Sequence, residues 1–114
     1  TCALPISSFL RITPQWTELV LYREGPRQIE LVILQPGAQV PPHKHLRCES
    51  TDVALAGIGV LEIGGRGMAF EGRRVVDVPR GAVHSGGTGA GAAYLSFQVW
   101  DGEPTFIADD WQPC

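Results

Sequence analysis

The three histidines of the chain stand at positions suited to metal binding. His43 and His45 are separated by one residue and shortly precede Glu49, and His84 ends the later segment Pro79-Arg-Gly-Ala-Val-His84. Side chains on a β-strand alternate between two faces, so positions 43, 45 and 49 share one face if a single strand runs through them. Imidazole and carboxylate groups form a mixed donor set that suits Fe, Mn, Ni, Cu or Zn. The spacing therefore predicts one divalent transition metal, with His84 arriving from a neighbouring element; the alternative is surface histidines with an incidental glutamate.

These residues lie in segments that resemble the two motifs of the cupin superfamily. Gly37-Ala-Gln-Val-Pro-Pro-His43-Lys-His45-Leu-Arg-Cys-Glu49 resembles the first motif, G-x5-H-x-H-x3-E, and Pro79–His84 resembles the core of the second, P-x-G-x2-H. The resemblance spans about Glu30 to Trp100. It implies an all-β fold, the cupin-type β-barrel also described as a double-stranded β-helix or jelly roll. It also implies that His43, His45, Glu49 and His84 hold one metal inside that barrel.

The first motif departs from the cupin pattern after the glutamate. Cupins usually have six residues between this glutamate and the next glycine, whereas seven separate Glu49 from Gly57. Either Glu49 is the ligand and the extra residue forms a bulge or a longer turn, or alignment on Gly57 puts Ser50 in the glutamate's place. We favour Glu49, because it shares the parity of His43 and His45 and supplies an anionic oxygen.

Length and composition predict one ordered globular domain. The 114 residues are 44% hydrophobic and 18% charged, with a net charge of −3 and no blocks of like charge. The absence of a basic face argues against a nucleic-acid partner. No apolar run approaches the ~20 residues that cross a bilayer. We therefore expect a small-molecule ligand and, since no signal segment is visible, a cytoplasmic location.

Short apolar and β-branched runs, separated by glycine and proline, predict the strands that must position the site. They cover residues 17–22, 29–34, 53–56, 59–63, 68–70, 74–78 and 94–100. Gly64-Gly65 is predicted to form a hairpin turn. No segment of ten or more residues has a helical period, so we expect eight or more strands in a jelly roll, with the metal between two sheets.

We divide the single domain, residues 1–114, into three parts. Residues 1–28 form an N-terminal segment, residues 29–100 the barrel core with both motifs, and residues 101–114 a C-terminal tail. The stretch from Ile6 to Tyr22 carries more apolar side chains than we expect of a segment that packs against nothing. We predict that it packs against a second copy in a homodimer. The alternative is a monomer in which this stretch folds back on its own barrel.

The strand at residues 94–100 has two different faces. Leu95, Phe97 and Val99 form an apolar face, and the other face carries Tyr94, Ser96, Gln98 and Trp100. If the polar face lines the barrel interior, Tyr94 and Gln98 are candidate catalytic residues. If the apolar face fills the core, the polar face meets solvent or a partner subunit. The sequence leaves both arrangements open.

Three further residues are candidates for contact with a substrate. Arg47 shares the parity of the predicted ligands, and its guanidinium would suit a substrate carboxylate, although the alternative that we favour is a solvated charge at the rim. Asp52 and Glu62 are candidate acid–base groups. No Ser-His-Asp arrangement is available, because every histidine is assigned to the metal.

The resemblance to cupins implies metal-dependent chemistry on a small polar molecule. Four protein ligands leave one or two metal positions open for Lewis-acid or O₂ chemistry. Dioxygenase, isomerase, lyase and decarboxylase activities are all compatible with this site. The alternative is a cupin that binds or senses a small molecule without catalysis.

Overall fold

A computed structural model describes residues 8–114, so Ile6, at the start of the predicted dimer segment, lies outside the described residues. Within this range the chain forms ten strands: β1 Leu10–Ile12, β2 Trp16–Glu24, β3 Arg27–Leu34, β4 Gln39–Lys44, β5 Cys48–Ile63, β6 Arg66–Glu71, β7 Val75–Val78, β8 His84–Gly87, β9 Ala92–Trp100 and β10 Gln112–Pro113. Ile107–Asp109 form a short 3-10 helix. The predicted all-β fold is confirmed. No helix in the described range is long and apolar enough to cross a bilayer.

The strands form two antiparallel sheets that share the long strand β5. The first sheet has the order β1-β2-β3-β9-β5-β7, and the second has the order β10-β4-β8-β5-β6. The first half of β5 pairs with β7 and β9, whereas its second half, from Ile58 to Ile63, pairs with β6 and β8. This arrangement is the predicted jelly roll, in which β5 carries the chain from one sheet to the other.

A bulge and a glycine allow β5 to pass between the sheets. The pairing of β5 with β9 shifts between Ala54 and Ala56. Gly57 then adopts a φ of +76°, and a Cβ at this position would collide with the carbonyl oxygen of Gly91. Only glycine tolerates both the positive φ and this close approach. The sequence predicted two strands here, but the bulge and Gly57 bend one continuous strand instead of ending it.

The first sheet turns polar side chains inward and apolar side chains outward. Gln28, Glu30, Ser96 and Gln98 are buried, whereas Phe97 and Val99 are each 43% exposed. The polar face of residues 94–100 therefore lines the interior, which decides between the two arrangements left open by the sequence. Apolar packing is concentrated near β6 and β7, in a cluster of Ala54, Phe70, Val76 and Val78.

Candidate metal centre

The three histidines come together on the inner face of the second sheet. His43 on β4 lies directly opposite His84 on β8, and His45 follows β4 immediately on the same face. One potential ligand atom from each ring lies within 4.8 Å of the other two. All three side chains line the same cavity between the sheets. This cluster could hold one metal ion, in the position between the sheets that the sequence predicts.

Backbone carbonyl groups orient all three imidazole rings. The Nδ1 atoms contact the carbonyl oxygens of Pro41 (2.8 Å from His43), Ala82 (3.0 Å from His84) and Asp110 (from His45). A ring nitrogen that faces a carbonyl carries the proton, so each Nε2 atom keeps its lone pair free. Burial lowers the pKa of all three histidines, that of His43 to about 4, which keeps the rings neutral at neutral pH.

Glu49 does not join the histidines. Between the end of β4 and the start of β5 at Cys48, a bend at residues 46–47 interrupts the strand. Alternation therefore restarts at Cys48: Ser50 and Asp52 line the cavity, while Glu49 is exposed beside Thr51 in a groove on the outside. The expectation that Glu49 shares the face of His43 is wrong. Ser50 occupies the inward position, as in the alternative alignment on Gly57.

Arg47 and Glu62 also lie away from the cavity. Arg47 is exposed, donates a hydrogen bond of 2.7 Å to the carbonyl oxygen of Glu103 and lies over the ring of Trp100. Glu62 is exposed on β5. Arg47 therefore has the position of the favoured alternative, an exposed charge, because the bend after β4 turns this side chain outward.

The remaining candidates face the interior. Tyr94 and Asp52 line the cavity. Burial raises the pKa of Asp52 to about 6 and raises that of Tyr94 well above its usual value, so the phenol stays protonated. Gln98 is buried one layer behind the cavity wall, where its side chain hydrogen-bonds Glu30 at 2.7 Å and Gln28 at 2.9 Å.

Residues 101–114, expected to be a tail, complete the site. Strand β10 pairs with β4, and the preceding Trp111 stacks on the ring of His43 with the centroids 3.6 Å apart. The carboxylate of Asp110 accepts hydrogen bonds from the backbone N–H groups of Leu46 (3.2 Å) and Arg47 (2.8 Å). The C-terminal residues thus cover one histidine and hold the bend that turns Glu49 outward.

The sequence matches no protein-family model and no curated protein. The fold, however, resembles solved structures. KdgF from Halomonas sp. is 13% identical, with 84% of this chain and 89% of that chain covered and a TM-score of 0.73. An RmlC-like cupin from Shewanella frigidimarina is 12% identical, with 85% and 87% covered and a TM-score of 0.72. The chain has the cupin fold.

A third cupin structure of similar shape is that of the DMSP lyase DddQ from Ruegeria pomeroyi. It is 18% identical, with 83% of this chain and 57% of that chain covered and a TM-score of 0.72. The cupin resemblance inferred from the two sequence motifs is thus confirmed at the level of the fold.

In this cupin fold the donor set fits a divalent transition metal. His43, His45 and His84 provide neutral nitrogen donors, and the hydroxyl of Ser50 takes the inward position predicted for a carboxylate. Catalytic metal sites commonly have three protein ligands and keep a position for water or substrate. A three-histidine site therefore leaves more of the metal facing the cavity than the predicted four-ligand set.

Sequence reasoning missed one acidic pair of the cupin interior. Glu18 on β2 lines the cavity, and Glu30 lies beside it on β3. Both are buried, at 1% and 0% exposure. Both lie in strands rich in Leu, Val and Ile, and no local pattern in these strands indicates that their glutamates face the interior.

Proposed function

We propose that this protein is a metal-dependent cupin enzyme that acts on a small polar molecule. His43, His45 and His84 would hold one divalent transition metal, namely Fe, Mn, Ni, Cu or Zn. The observation that carries the proposal is that three imidazoles with free ring nitrogens face a walled cavity. A bound metal would supply Lewis-acid activation or O₂ chemistry.

Besides the histidines, aromatic and polar residues of the cavity have separate roles in this proposal. Trp111 and Trp16 form a stacked aromatic wall, with ring centroids 6.4 Å apart, that shields the histidine side from water. Tyr94 offers a neutral hydroxyl, and Asp52 a carboxylate oxygen without a hydrogen-bond partner in residues 8–114. The cavity, about 90 Å³ in volume, has room for several waters or a small polar ligand, because one water needs only about 10–15 Å³ of such volume.

Solved structures with a similar fold indicate which reaction classes to test first. DddQ is a DMSP lyase, and its fold is similar to that of this chain. Lyase chemistry is therefore one candidate, beside dioxygenase, isomerase and decarboxylase chemistry. Binding or sensing without turnover remains the alternative function, and the same cavity would serve it.

Metal content tests the first half of the proposal. Protein purified without chelating resin should contain about one transition-metal ion per chain by elemental analysis, and His84→Ala should lose most of it. Glu62→Gln is the matched control, because Glu62 is exposed on β5 outside the cavity. Wild-type protein without metal, or equal metal content in His84→Ala, would contradict the proposal.

Turnover tests the second half. The metal-loaded protein is incubated with a small-molecule extract, and mass spectrometry follows which compounds disappear and which appear. An enzyme converts at least one compound in wild type and not in His84→Ala. A compound that is retained by the protein but stays chemically unchanged would instead support binding or sensing.

We also propose a homodimer that buries the outer face of the first sheet. Leu21, Phe97 and Val99 are exposed there, at 53%, 43% and 43%. The proposed dimer interface therefore includes β9 as well as the predicted N-terminal stretch. A second copy is the occupant we favour, because a two-fold axis would bring the same exposed apolar residues of both copies together.

A further inference from the structure

Two buried carboxyl groups lie side by side on the first sheet. In the pairing of β2 with β3, Glu18 is opposite Val32 and Glu30 is opposite Val20, so the two glutamates are diagonal neighbours on the inner face. The two carboxyl groups are close enough for each to shift the pKa of the other.

Each carboxyl group has one bound oxygen and one free oxygen. Glu18 Oε1 accepts a bond of 3.1 Å from the N–H of Ala108, and Glu30 Oε2 accepts bonds from the N–H of Ile107 (2.9 Å) and from Gln98 (2.7 Å). Glu18 Oε2 and Glu30 Oε1 are buried and have no hydrogen-bond partner within residues 8–114. Because Glu18 lines the cavity, a ligand there could supply the missing partner of its free oxygen.

Among residues 8–114, no cation forms an ion pair with Glu18 or Glu30. Arg11 on β1 is the basic group that acts on Glu18, and the Asp109 carboxylate engages it with a bond of 2.9 Å and a second, shorter one. The other nearby ionisable groups, Asp52 and Tyr94, are acids. Burial raises the pKa of both glutamates, and repulsion from Glu18 contributes to a pKa of about 8 for Glu30. The pair therefore holds one proton at neutral pH.

We propose that Glu18 transfers protons to and from a ligand in the cavity. Glu30 positions the carboxyl group of Glu18 and adjusts its protonation. In one direction Glu18 gives its O–H proton to a basic atom of the ligand and becomes a carboxylate. In the other direction the carboxylate takes a proton from the ligand. Lysine and arginine are absent from the described residues that line the cavity. The ligand end facing Glu18 is therefore a hydrogen-bond donor, such as a hydroxyl or an ammonium group, and not a carboxylate.

This inference rests on the proposed function, but metal-free protein tests it separately. Carbon-13 NMR of protein labelled at the glutamate carboxyl carbon follows the titration of Glu18 and Glu30, with Glu18→Gln, Glu30→Gln and Glu49→Gln used for assignment. One carboxyl of the pair should titrate above neutral pH, and in Glu18→Gln the pKa of Glu30 should fall by at least about one unit, because the neighbouring charge is gone. Both groups titrating below about pH 5 in wild type would overturn the shared proton, whether or not the variant folds.

A small epoxide, glycidol, tests whether Glu18 meets a ligand in the cavity. The carboxylate of Glu18 attacks a ring carbon, and water gives a proton to the ring oxygen. A C–O ester bond forms, a ring C–O bond breaks, the ring oxygen becomes a hydroxyl group, and the hydroxide left from the water passes to solvent. Peptide mapping should find the ester on Glu18 in wild type and in Glu30→Gln, because Glu18 is the member of the pair that lines the cavity. Labelling of the exposed Glu49 without Glu18 would overturn the proposal, while metal content would still decide the proposed function.

Discussion

The outward position of Glu49 predicts that its carboxylate is dispensable for metal binding. We compare Glu49→Gln, which removes the charge at nearly constant shape, with His84→Ala, which removes one of three donors. In the structure His84 faces His43 across β4 and β8, whereas Glu49 lies on the opposite face of β5 in an exterior groove. The two substitutions should therefore differ greatly in their effect on affinity.

The magnitude follows from the number of donors that remain. A zinc site with four protein ligands binds with roughly 10–16 kcal/mol, or about 3 kcal/mol per ligand. Loss of His84 should therefore raise the Kd by about a hundredfold or more. A substitution at an exposed position changes free energies by less than about 0.5 kcal/mol, so Glu49→Gln should change the Kd by no more than about twofold.

Competition between the protein and a chromophoric zinc chelator at neutral pH measures both dissociation constants. Ser50→Ala is included because Ser50 occupies the inward position. A loss in Glu49→Gln as large as that in His84→Ala would refute the reasoning. It would mean that Glu49 turns inward when metal binds, with alternation continuous from His45 through the bend.

Three other outcomes follow from the fold. Light scattering should give twice the chain mass of 12.3 kDa, and Phe97→Glu should reduce it to one chain, whereas a wild-type mass near 12.3 kDa would reject the dimer. In urea denaturation, Gly25→Ala should lower the free energy of unfolding by about 1 kcal/mol, because φ is +55° but the space around the new Cβ is open. Gly57→Ala should lower it by more than about 3 kcal/mol, because backbone atoms block the Cβ. Equal losses would count against the close packing at Gly57. Because the pKa of Glu30 rises from 4.5 to about 8 on folding, the folded state keeps a proton that the unfolded state releases, so Glu30 should lower stability as pH rises between those values, most clearly above pH 6.5, where the buried histidines no longer act in the opposite sense. Glu30→Gln should flatten that dependence in thermal denaturation, and an unchanged slope would speak against the raised pKa.

Strands with a clear pattern of their own could be predicted from the sequence. β2, β3, β6, β7 and β9 all overlap predicted strands, and Gly64 and Gly65 adopt the positive φ angles expected of the predicted hairpin turn. The sequence analysis gave no strand for β1, β8 or β10, because each has only two to four residues and is defined by the strand it pairs with. The missed β8 matters most for the site, because this strand carries His84.

Within the site, local spacing identified the histidines but not their surroundings. The H-x-H spacing needs only one strand, so the shared face of His43 and His45 was predictable. Glu49 failed because the bend before Cys48 is held by Asp110, which is remote in sequence. Glu18 was missed because burial of a charged residue depends on which face of the whole sheet turns inward, and in this sheet apolar residues such as Phe97 and Val99 lie on the outer face.

The two sheets contribute different functional groups to the same cavity. All three imidazoles come from the second sheet and the residue after β4, while Glu18, Asp52 and Tyr94 come from the first sheet. Substitutions can therefore accumulate on one wall while the other keeps its composition. A library that randomises inward positions of β2 and β9 would explore new substrates on an unchanged metal-binding wall. The same separation offers evolution a route by which one chain length and one fold can change the first sheet without first losing the three histidines.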